Sequence, residues 1–354
     1  MSASKKKNIR ELTAEEITEF FQSHQEKTFR SKQVYEWLWQ KSAHSFDAMS
    51  NLPKTLRELL SEHFSIDAAE VSDTQKSKDG TVKNAFKLYD GNIVEGVLIP
   101  TDDRMTACIS SQVGCSLTCK FCATGKLERI RNLSAGEIYD QVALLRKQSE
   151  EIHNVPLTNI VYMGMGEPLL NYANMLRSTE RICSPDGLNM SPQRITVSTA
   201  GIAKMIKKLG DDQVKFNLAL SLHAANDVKR SQIMPINDQN SLEVLAEALQ
   251  YFYAKTGTRV TFEYIVFDGF NDTLEDAAEL AAFCKVVPCK VNIIEYNPVE
   301  GTGFINAKAD RLDRFKDFLE ARRIIVNVRR SRGKDIDAAC GQLANKNMLK
   351  KVTS

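Results

Sequence analysis

Histidine is scarce: the 354 residues hold five, none of them paired at short spacing. That leaves few of the donors from which mixed cysteine–histidine zinc sites are built. No stretch approaches ~20 uninterrupted apolar residues, so no membrane-spanning helix is expected. The opening run Met1-Ser-Ala-Ser-Lys-Lys-Lys lacks the hydrophobic core of a signal peptide. Cytoplasm is therefore the expected compartment, and the eight cysteines are expected to stay reduced. Net charge is only +2, so any nucleic-acid surface must come from local clustering. Internal repeats and low-complexity segments are also lacking. What remains is ordinary globular composition, 43% hydrophobic and 26% charged, in a length that allows one large domain plus a small one.

What stands out is a tight loop of thiols, Cys115-Ser-Leu-Thr-Cys119-Lys-Phe-Cys122. Iron–sulfur clusters are normally held by four thiolates. No fourth cysteine continues this run, so the loop offers three corners of a four-iron cluster and leaves one iron open to a small molecule. An open iron is a reaction centre, whereas a fully ligated cluster mainly carries electrons. The competing readings are a structural zinc site and a disulfide framework. The first usually needs two Cys-x-x-Cys pairs or paired histidines; the second needs an oxidising compartment.

Along the chain, residues from about Leu12 to Phe64 read as helical. Thr13-Ala-Glu-Glu16 is a capping box ahead of Ile17, Phe20 and Phe21. Val34, Tyr35, Leu38 and Trp39 recur at helical spacing, and Pro53 opens a further helix. Residues 85–99 alternate about Asp90-Gly91, as in a β-hairpin. From Arg104 onward, short apolar strands alternate with amphipathic helices. The expected strands are Thr106–Ser110, Asn159–Met163, Ile195–Ser198, Phe216–Leu222, Val260–Phe267 and Val291–Tyr296, with a last one at Ile324–Val328. The capping box Ser134-Ala-Gly-Glu137 opens the clearest helix, Ser134–Lys147. Six βα units imply parallel strands with helices outside, too few to close an eight-stranded barrel. The expected fold is α/β, an open partial (β/α)6 barrel. The expected division is a helical accessory domain at 1–75, a hairpin linker at 76–100, the barrel at 101–330 and a tail at 331–354.

Several polar residues fall at the expected C-terminal strand ends, where such folds carry chemistry. Gly164-Met-Gly166-Glu167-Pro168 follows the second strand, and its glycines allow backbone to approach a ligand. Ser198 ends the third strand, Ser221-Leu222-His223 the fourth, and Asn297 follows the sixth. Each alone is more often a cap or turn residue. Cys108 lies on the first strand and reads as a small hydrophobe. Cys340 sits in Asp335-Ile-Asp-Ala-Ala-Cys340-Gly341-Gln342, a segment too polar for core, beside Arg329, Arg330, Arg332 and Lys334. Mobile placement and nearby cations are expected to lower its pKa. With Arg322 and Arg323 these cations form a dense basic stretch suited to phosphates. Lys5–Lys7, Arg30, Lys32 and Lys54 add a second basic group in the helical module.

The cysteine spacing, with Phe121 before the last cysteine, resembles the signature of the radical S-adenosylmethionine (SAM) superfamily. Further matches are Val94-Glu95, Cys108-Ile-Ser-Ser-Gln-Val-Gly-Cys115, Gly164-Met-Gly-Glu-Pro168, Ser221-Leu-His-Ala224 and Arg332-Gly-Lys-Asp-Ile-Asp-Ala-Ala-Cys340-Gly-Gln342. With these the chain resembles the RlmN/Cfr family of radical SAM RNA methyltransferases over nearly its whole length. The resemblance implies a [4Fe-4S] cluster on Cys115, Cys119 and Cys122, with SAM on the open iron. It implies SAM contacts at Gly166, Glu167, Ser198, Ser221, Leu222, His223 and Asn297. It implies that Cys340 carries a methyl group from one SAM, that a second SAM is cleaved to a radical, that Glu95 accepts the proton of adenine carbon 2, and that Cys108 resolves the adduct through a transient disulfide with Cys340. The implied substrates are an adenosine of 23S rRNA and one of tRNA next to the anticodon, the implied electron donor is flavodoxin-type, and a monomer is expected. Three rivals stand beside it: a Cfr-type carbon-8 methyltransferase, a glycyl-radical activating enzyme, and a non-catalytic RNA-binding protein with a structural metal.

Overall fold

The computed structural model describes residues 6–345. Lys5 of the basic N-terminus and residues 346–354 of the expected tail segment lie outside the described residues. Three helices form the N-terminal module: α1 (Ala14–Ser23), α2 (Arg30–Trp39) and α3 (Lys54–His63). The expected capping box starts α1. Thr13 Oγ1 accepts the Glu16 N–H at 3.1 Å, and Glu16 Oε2 accepts the Thr13 N–H at 2.7 Å, which satisfies two donors that the helix start leaves free. Ile17, Phe21, Val34, Leu38, Trp39, Leu56 and Leu60 turn inward and are buried. Trp39 is a core residue, while Trp37 is partly buried with Lys41 Nζ over its ring.

The rest of the chain builds one ten-stranded sheet. Its elements in order are β1 (Glu70–Lys76), β2 (Val82–Lys87), β3 (Ile93–Pro100), β4 (Met105–Cys108), α4 (Ala135–His153), β5 (Asn159–Tyr162), α5 (Tyr172–Cys183), β6 (Ile195–Thr199), α6 (Ala203–Asp211), β7 (Asn217–Ser221), α7 (Asp227–Ile233), α8 (Leu242–Thr256), β8 (Val260–Ile265), α9 (Leu274–Phe283), β9 (Cys289–Ile294), α10 (Ala309–Glu320) and β10 (Val326–Arg329). Strands lie side by side in chain order. From β4 to β10 every neighbouring pair is parallel, as helical crossovers require. β1, β2 and β3 are an antiparallel meander that extends the same sheet beyond β4. The fold is thus the expected open α/β barrel.

Two departures from the sequence reading have physical causes. The 85–99 hairpin is no free-standing linker: β3 pairs with β4 through Val97↔Cys108 and Leu98↔Ala107, so it belongs to the barrel wall. β1 has no counterpart among the expected strands. Its sequence, Glu-Val-Ser-Asp-Thr-Gln-Lys, has no apolar alternation because it is an exposed edge strand, and edges tolerate or prefer charge. Most of the parallel strands also end earlier than expected, although β6 and β10 run one residue further. Ser110, Leu222, Phe267 and Tyr296 lie past their strand ends, where the chain leaves the ladder to build loops.

A buried ion pair fastens the N-terminal module to the barrel. Arg10 Nη1 lies 2.6 Å from Asp140 Oδ1 on α4, with both side chains nearly fully enclosed. Asp140 Oδ2 also accepts the Ala69 N–H at 2.9 Å. Tyr139 Oη donates to the Trp39 carbonyl across the same contact. Ser134 and Glu137 cap α4 as expected. Glu137 also receives both Arg131 Nη atoms at 2.8 and 2.9 Å, while Arg131 Nε reaches Asp90 at the hairpin turn, at 2.6 Å.

Candidate active site

One cavity opens at the C-terminal ends of the parallel strands. Its wall combines the thiols Cys115, Cys119 and Cys122, the turn Gly164–Glu167, Ser198, Ser221, His223 and Cys340. The loop after β4 carries the three thiols. Cys122 N donates to Cys119 O at 3.2 Å, and Cys115 N to Leu127 O at 3.4 Å, so the loop closes on itself. None of the three cysteines is in a disulfide. Burial pushes the Cys115 thiol up to about 11 and Cys119 higher still. Among the described residues, no three His, Cys, Asp or Glu side chains converge on one ion position. Three soft donors on one cavity wall suit the corners of a multinuclear cluster. The residues present therefore fit the cluster that the spacing implies.

The Gly164–Glu167 turn packs tightly on the segment that follows β4. A Cβ on Gly164 would lie 2.7 Å from the Ile109 carbonyl, and one on Gly166 (φ +95°) would lie 2.5 Å from Gln112 Cβ. These glycines let the turn press against the 109–112 segment. Gln112 Oε1 then accepts the Glu167 N–H at 2.8 Å. The Glu167 carboxylate bridges strand ends: Oε1 accepts Leu169 N–H at 3.0 Å and Oε2 accepts Ala200 N–H at 2.8 Å. Burial raises it to about 7 against those hydrogen bonds.

Ser198 Oγ and Ser221 Oγ stand 3.3 Å apart across β6 and β7. His223 adopts φ +54°. Its Nδ1 accepts the Ile265 N–H at 3.1 Å and its ring meets Phe121 edge-on at 4.7 Å. Leu222 is different. Its side chain is fully buried in the core, away from the cavity wall, and its carbonyl accepts from Arg230 Nε at 3.2 Å. Asn297 is buried next to the cavity and donates Nδ2 to the Cys340 carbonyl at 3.2 Å.

The Cys340 segment contradicts the expectation of a mobile tail with an activated thiol. Ala338, Ala339, Leu343 and Ala344 are buried, and Thr124 Oγ1 donates to the Leu343 carbonyl at 2.6 Å. The polar segment docks because its backbone groups find distant partners. Cys340 itself is exposed, with its free surface facing the cavity. Desolvation by the surrounding protein pushes its thiol up, helped by Glu263 and Cys122, while Arg329 and a backbone hydrogen bond pull the other way. Cys108 sits buried at the end of β4, and burial followed by the Cys340 charge raises its thiol. Glu95 on β3 is buried beside the docked segment, outside the cavity wall. Its Oε2 accepts the Ala344 and Asn345 N–H groups at 2.8 and 3.1 Å.

Three residues that matter here escaped the sequence reading. Arg230 is fully buried and donates to the Ala200 and Ser221 carbonyls at 2.6 and 3.3 Å, fixing the ends of β6 and β7. Burial brings it down to about 10. Glu263 lines the cavity from β8, with Oε1 accepting from Asn292 Nδ2 at 2.8 Å and Oε2 without a hydrogen bond. Lys83 on β2 is buried beside Glu95. Glu263 was visible only as a charge inside an expected strand, and Lys83 lay just ahead of the expected 85–99 hairpin. The basic stretch is also divided. Arg322 and Arg323 precede β10, while Arg330, Arg332 and Lys334 follow it at the cavity end, where Lys334 pairs with Glu295 at 2.6 Å.

Residues 7–66 match the family described as the ribosomal RNA large subunit methyltransferase N-terminal domain. Residues 109–281 match the radical SAM superfamily. A Cytophaga hutchinsonii protein, "Probable dual-specificity RNA methyltransferase RlmN", is 64% identical over 342 residues, spanning 97% of this chain and 94% of that one. The "Dual-specificity RNA methyltransferase RlmN" of Anaeromyxobacter dehalogenans is 43% identical across 95% of this chain and 91% of its own. A solved radical SAM methyltransferase from Sphaerobacter thermophilus superposes with a TM-score of 0.89 at 40% identity, covering 95% of this chain and 99% of that one.

Proposed function

This chain belongs to the RlmN family of dual-specificity radical SAM RNA methyltransferases, and we propose that it methylates adenine carbon 2 with Cys340 as methyl carrier, Cys108 as resolving thiol and Glu95 as proton acceptor. Its cofactors are a [4Fe-4S] cluster and SAM. Cys115, Cys119 and Cys122 would hold the cluster, and the strand ends at Gly166, Glu167, Ser198, Ser221, His223 and Asn297 would hold SAM, with Leu222 contributing through its backbone. When bound, cluster and SAM supply a 5′-deoxyadenosyl radical that removes a hydrogen atom from a methyl group held beside it.

Carbon 2 of adenine has no lone pair and no acidic proton, so an electrophilic methyl group finds nothing there to attack. A carrier is required. Cys340 would take the methyl group by displacement at a sulfonium: its thiol proton leaves to solvent, the sulfonium S–CH3 bond breaks, S-adenosylhomocysteine departs, and an S–CH3 bond forms on Cys340. The activated methylene carbon would add to carbon 2; the adduct would then lose one electron, for which the oxidised cluster is the available acceptor, and its carbon-2 proton, which Glu95 would receive. Cys108, having lost its thiol proton, would attack the Cys340 sulfur; the carbon–sulfur bond breaks with its electron pair on the methylene carbon, that carbon takes up a proton to become the methyl group, and a Cys108–Cys340 disulfide remains for a reductant to reopen. The observation that carries this reading is the docking of Cys340 into the wall that holds the three loop thiols, with the Cys340 charge among the groups that raise the Cys108 thiol.

RNA is the substrate, and a target base must leave its stack to reach so enclosed a wall. A flavodoxin-type donor, a monomer and a cytoplasmic location complete the proposal; no described helix is long and apolar enough to cross a membrane. The carbon-8 reading is not favoured, given relatives this similar along the whole chain. Mass spectrometry of the purified enzyme and Cys340→Ala tests the carrier. Wild type is expected to bear one methyl on Cys340 and to yield 2-methyladenosine; an unmethylated Cys340 in active enzyme, or 8-methyladenosine alone, refutes the reading.

A further inference from the structure

Lys83 is 4% exposed on β2, a costly place for an ammonium group. Strand register explains its neighbour. Lys83 faces Val97 and Ala85 faces Glu95, so Lys83 and Glu95 are diagonal partners on one face of the sheet. Lys83 Nζ lies 3.5 Å from Glu95 Oε1, with both side chains 4% exposed. The same Nζ donates to the Asp337 carbonyl at 3.4 Å. On the other side, Glu95 Oε2 takes the Ala344 and Asn345 amides, and Asn345 Nδ2 donates to the Ile93 carbonyl at 2.8 Å. The ion pair therefore grips the docked segment at both ends, at Asp337 and at Ala344–Asn345. Cys340 lies between the two grips.

Stability alone gives a weak reason for such a pair. Replacing a buried ion pair by apolar residues is often neutral or stabilising. Geometry gives a stronger one. The proton acceptor and the methyl carrier sit on separate parts of the chain, and their relative placement sets whether the carbon-2 proton can leave. We propose that Lys83 is a positioning residue for methyl transfer: its ammonium ties the Glu95 carboxylate to the segment that presents Cys340. This rests on the reading of Glu95 as proton acceptor. The proton from carbon 2 ends on Glu95.

The test uses the reconstituted full-length enzyme, an RNA stem-loop bearing the substrate adenosine, and the variants Lys83→Met, Lys83→Gln, Lys83→Arg and Glu95→Gln. Methylation of Cys340 does not need Glu95, so Lys83→Met is expected to keep the S-methyl mark by mass spectrometry. Release of the covalent RNA–Cys340 adduct does need it. On denaturing gels Lys83→Met is expected to hold that adduct roughly tenfold longer than wild type. Lys83→Arg is expected to recover most of the release rate, and Lys83→Met is expected to add nothing in a Glu95→Gln background. In apo-protein, amide exchange at Ala344 and Asn345 is expected to quicken in Lys83→Met. Should Lys83→Met fail to fold, Lys83→Gln takes its place with the same expected outcomes. Wild-type release by the lysine variants while Glu95→Gln stalls overturns the role of Lys83. Wild-type release by Glu95→Gln itself overturns the reading of Glu95 instead.

Discussion

Ala123, one residue past Cys122, donates its backbone N–H to the carbonyl of Gly341, one residue past Cys340, at 2.7 Å. The thiol loop and the docked segment are thereby held as one unit. Thr124 Oγ1 adds a second link to the Leu343 carbonyl. Two segments more than 200 residues apart in sequence thus meet through backbone groups, which tolerate side-chain change around them but not loss of a donor.

Thr124→Val removes one of these donors and leaves the buried Leu343 carbonyl unpaired. The loss should be about 1 kcal/mol, which is close to a fivefold rise in the population of undocked segment. Amide exchange of residues 339–345 in apo-protein measures it. Unchanged exchange would show that Thr124 does not hold the segment.

Gly166→Ala should damage SAM binding without unfolding the barrel. The added Cβ would come within 2.9 Å of the Gln112 backbone nitrogen as well as 2.5 Å of its Cβ, and the φ of +95° is one that L residues rarely adopt. The turn must shift, and the Glu167 N–H to Gln112 Oε1 bond shifts with it. A displacement near 1 Å costs on the order of 10²-fold in such sites. Formation of 5′-deoxyadenosine by reconstituted enzyme is the measurement, alongside a thermal melt expected to stay close to wild type.

The sequence was most readable where periodicity or spacing is local. The Cys115–Cys122 loop, the caps at Thr13 and Ser134, and the parallel strands all announce themselves within a dozen residues. What it concealed depends on pairing at a distance. β1 looks like a polar loop because one neighbouring strand satisfies its backbone and no core asks for apolar residues. The Cys340 segment looks like a free tail because its partners, Glu95 and Thr124, lie more than 200 residues upstream. Arg230, Lys83 and Glu263 break their local patterns, but nothing nearby names the groups they serve. The cations around Cys340 suggest an activated thiol, yet burial outweighs them.

Arg10→Met should destabilise the protein by about 3–5 kcal/mol, because it strands the Asp140 carboxylate in the interior. Arg10 also donates Nη2 to the Leu38 and Ala43 carbonyls at 3.3 Å each, so its loss unpins α2 as well. Urea unfolding of the apo-protein reports the change. The double variant Arg10→Met/Asp140→Leu should recover a large part, since it removes both charges together. A single variant as stable as wild type would mean that the Arg10–Asp140 pair does not hold the N-terminal module.

His223 sets a pH dependence with a definite sign. Burial, helped by the Arg230 guanidinium, drives its pKa down from 6.5 to about 3, and Nδ1 already serves as acceptor for Ile265 N–H. The folded imidazole is therefore neutral down to that pH, while the unfolded one takes up a proton near 6.5. Its contribution is fully present above about pH 6.5 and is lost as pH falls from there toward 3. At about pH 5.5 the loss is about 1.4 kcal/mol from this group. Urea unfolding of apo-protein at about pH 7.5 and about pH 5.5 should show that difference in wild type, and His223→Gln should remove it. Equal pH slopes for the two proteins would mean that the folded state protonates His223 readily, and the ring would then have to give up its bond to Ile265.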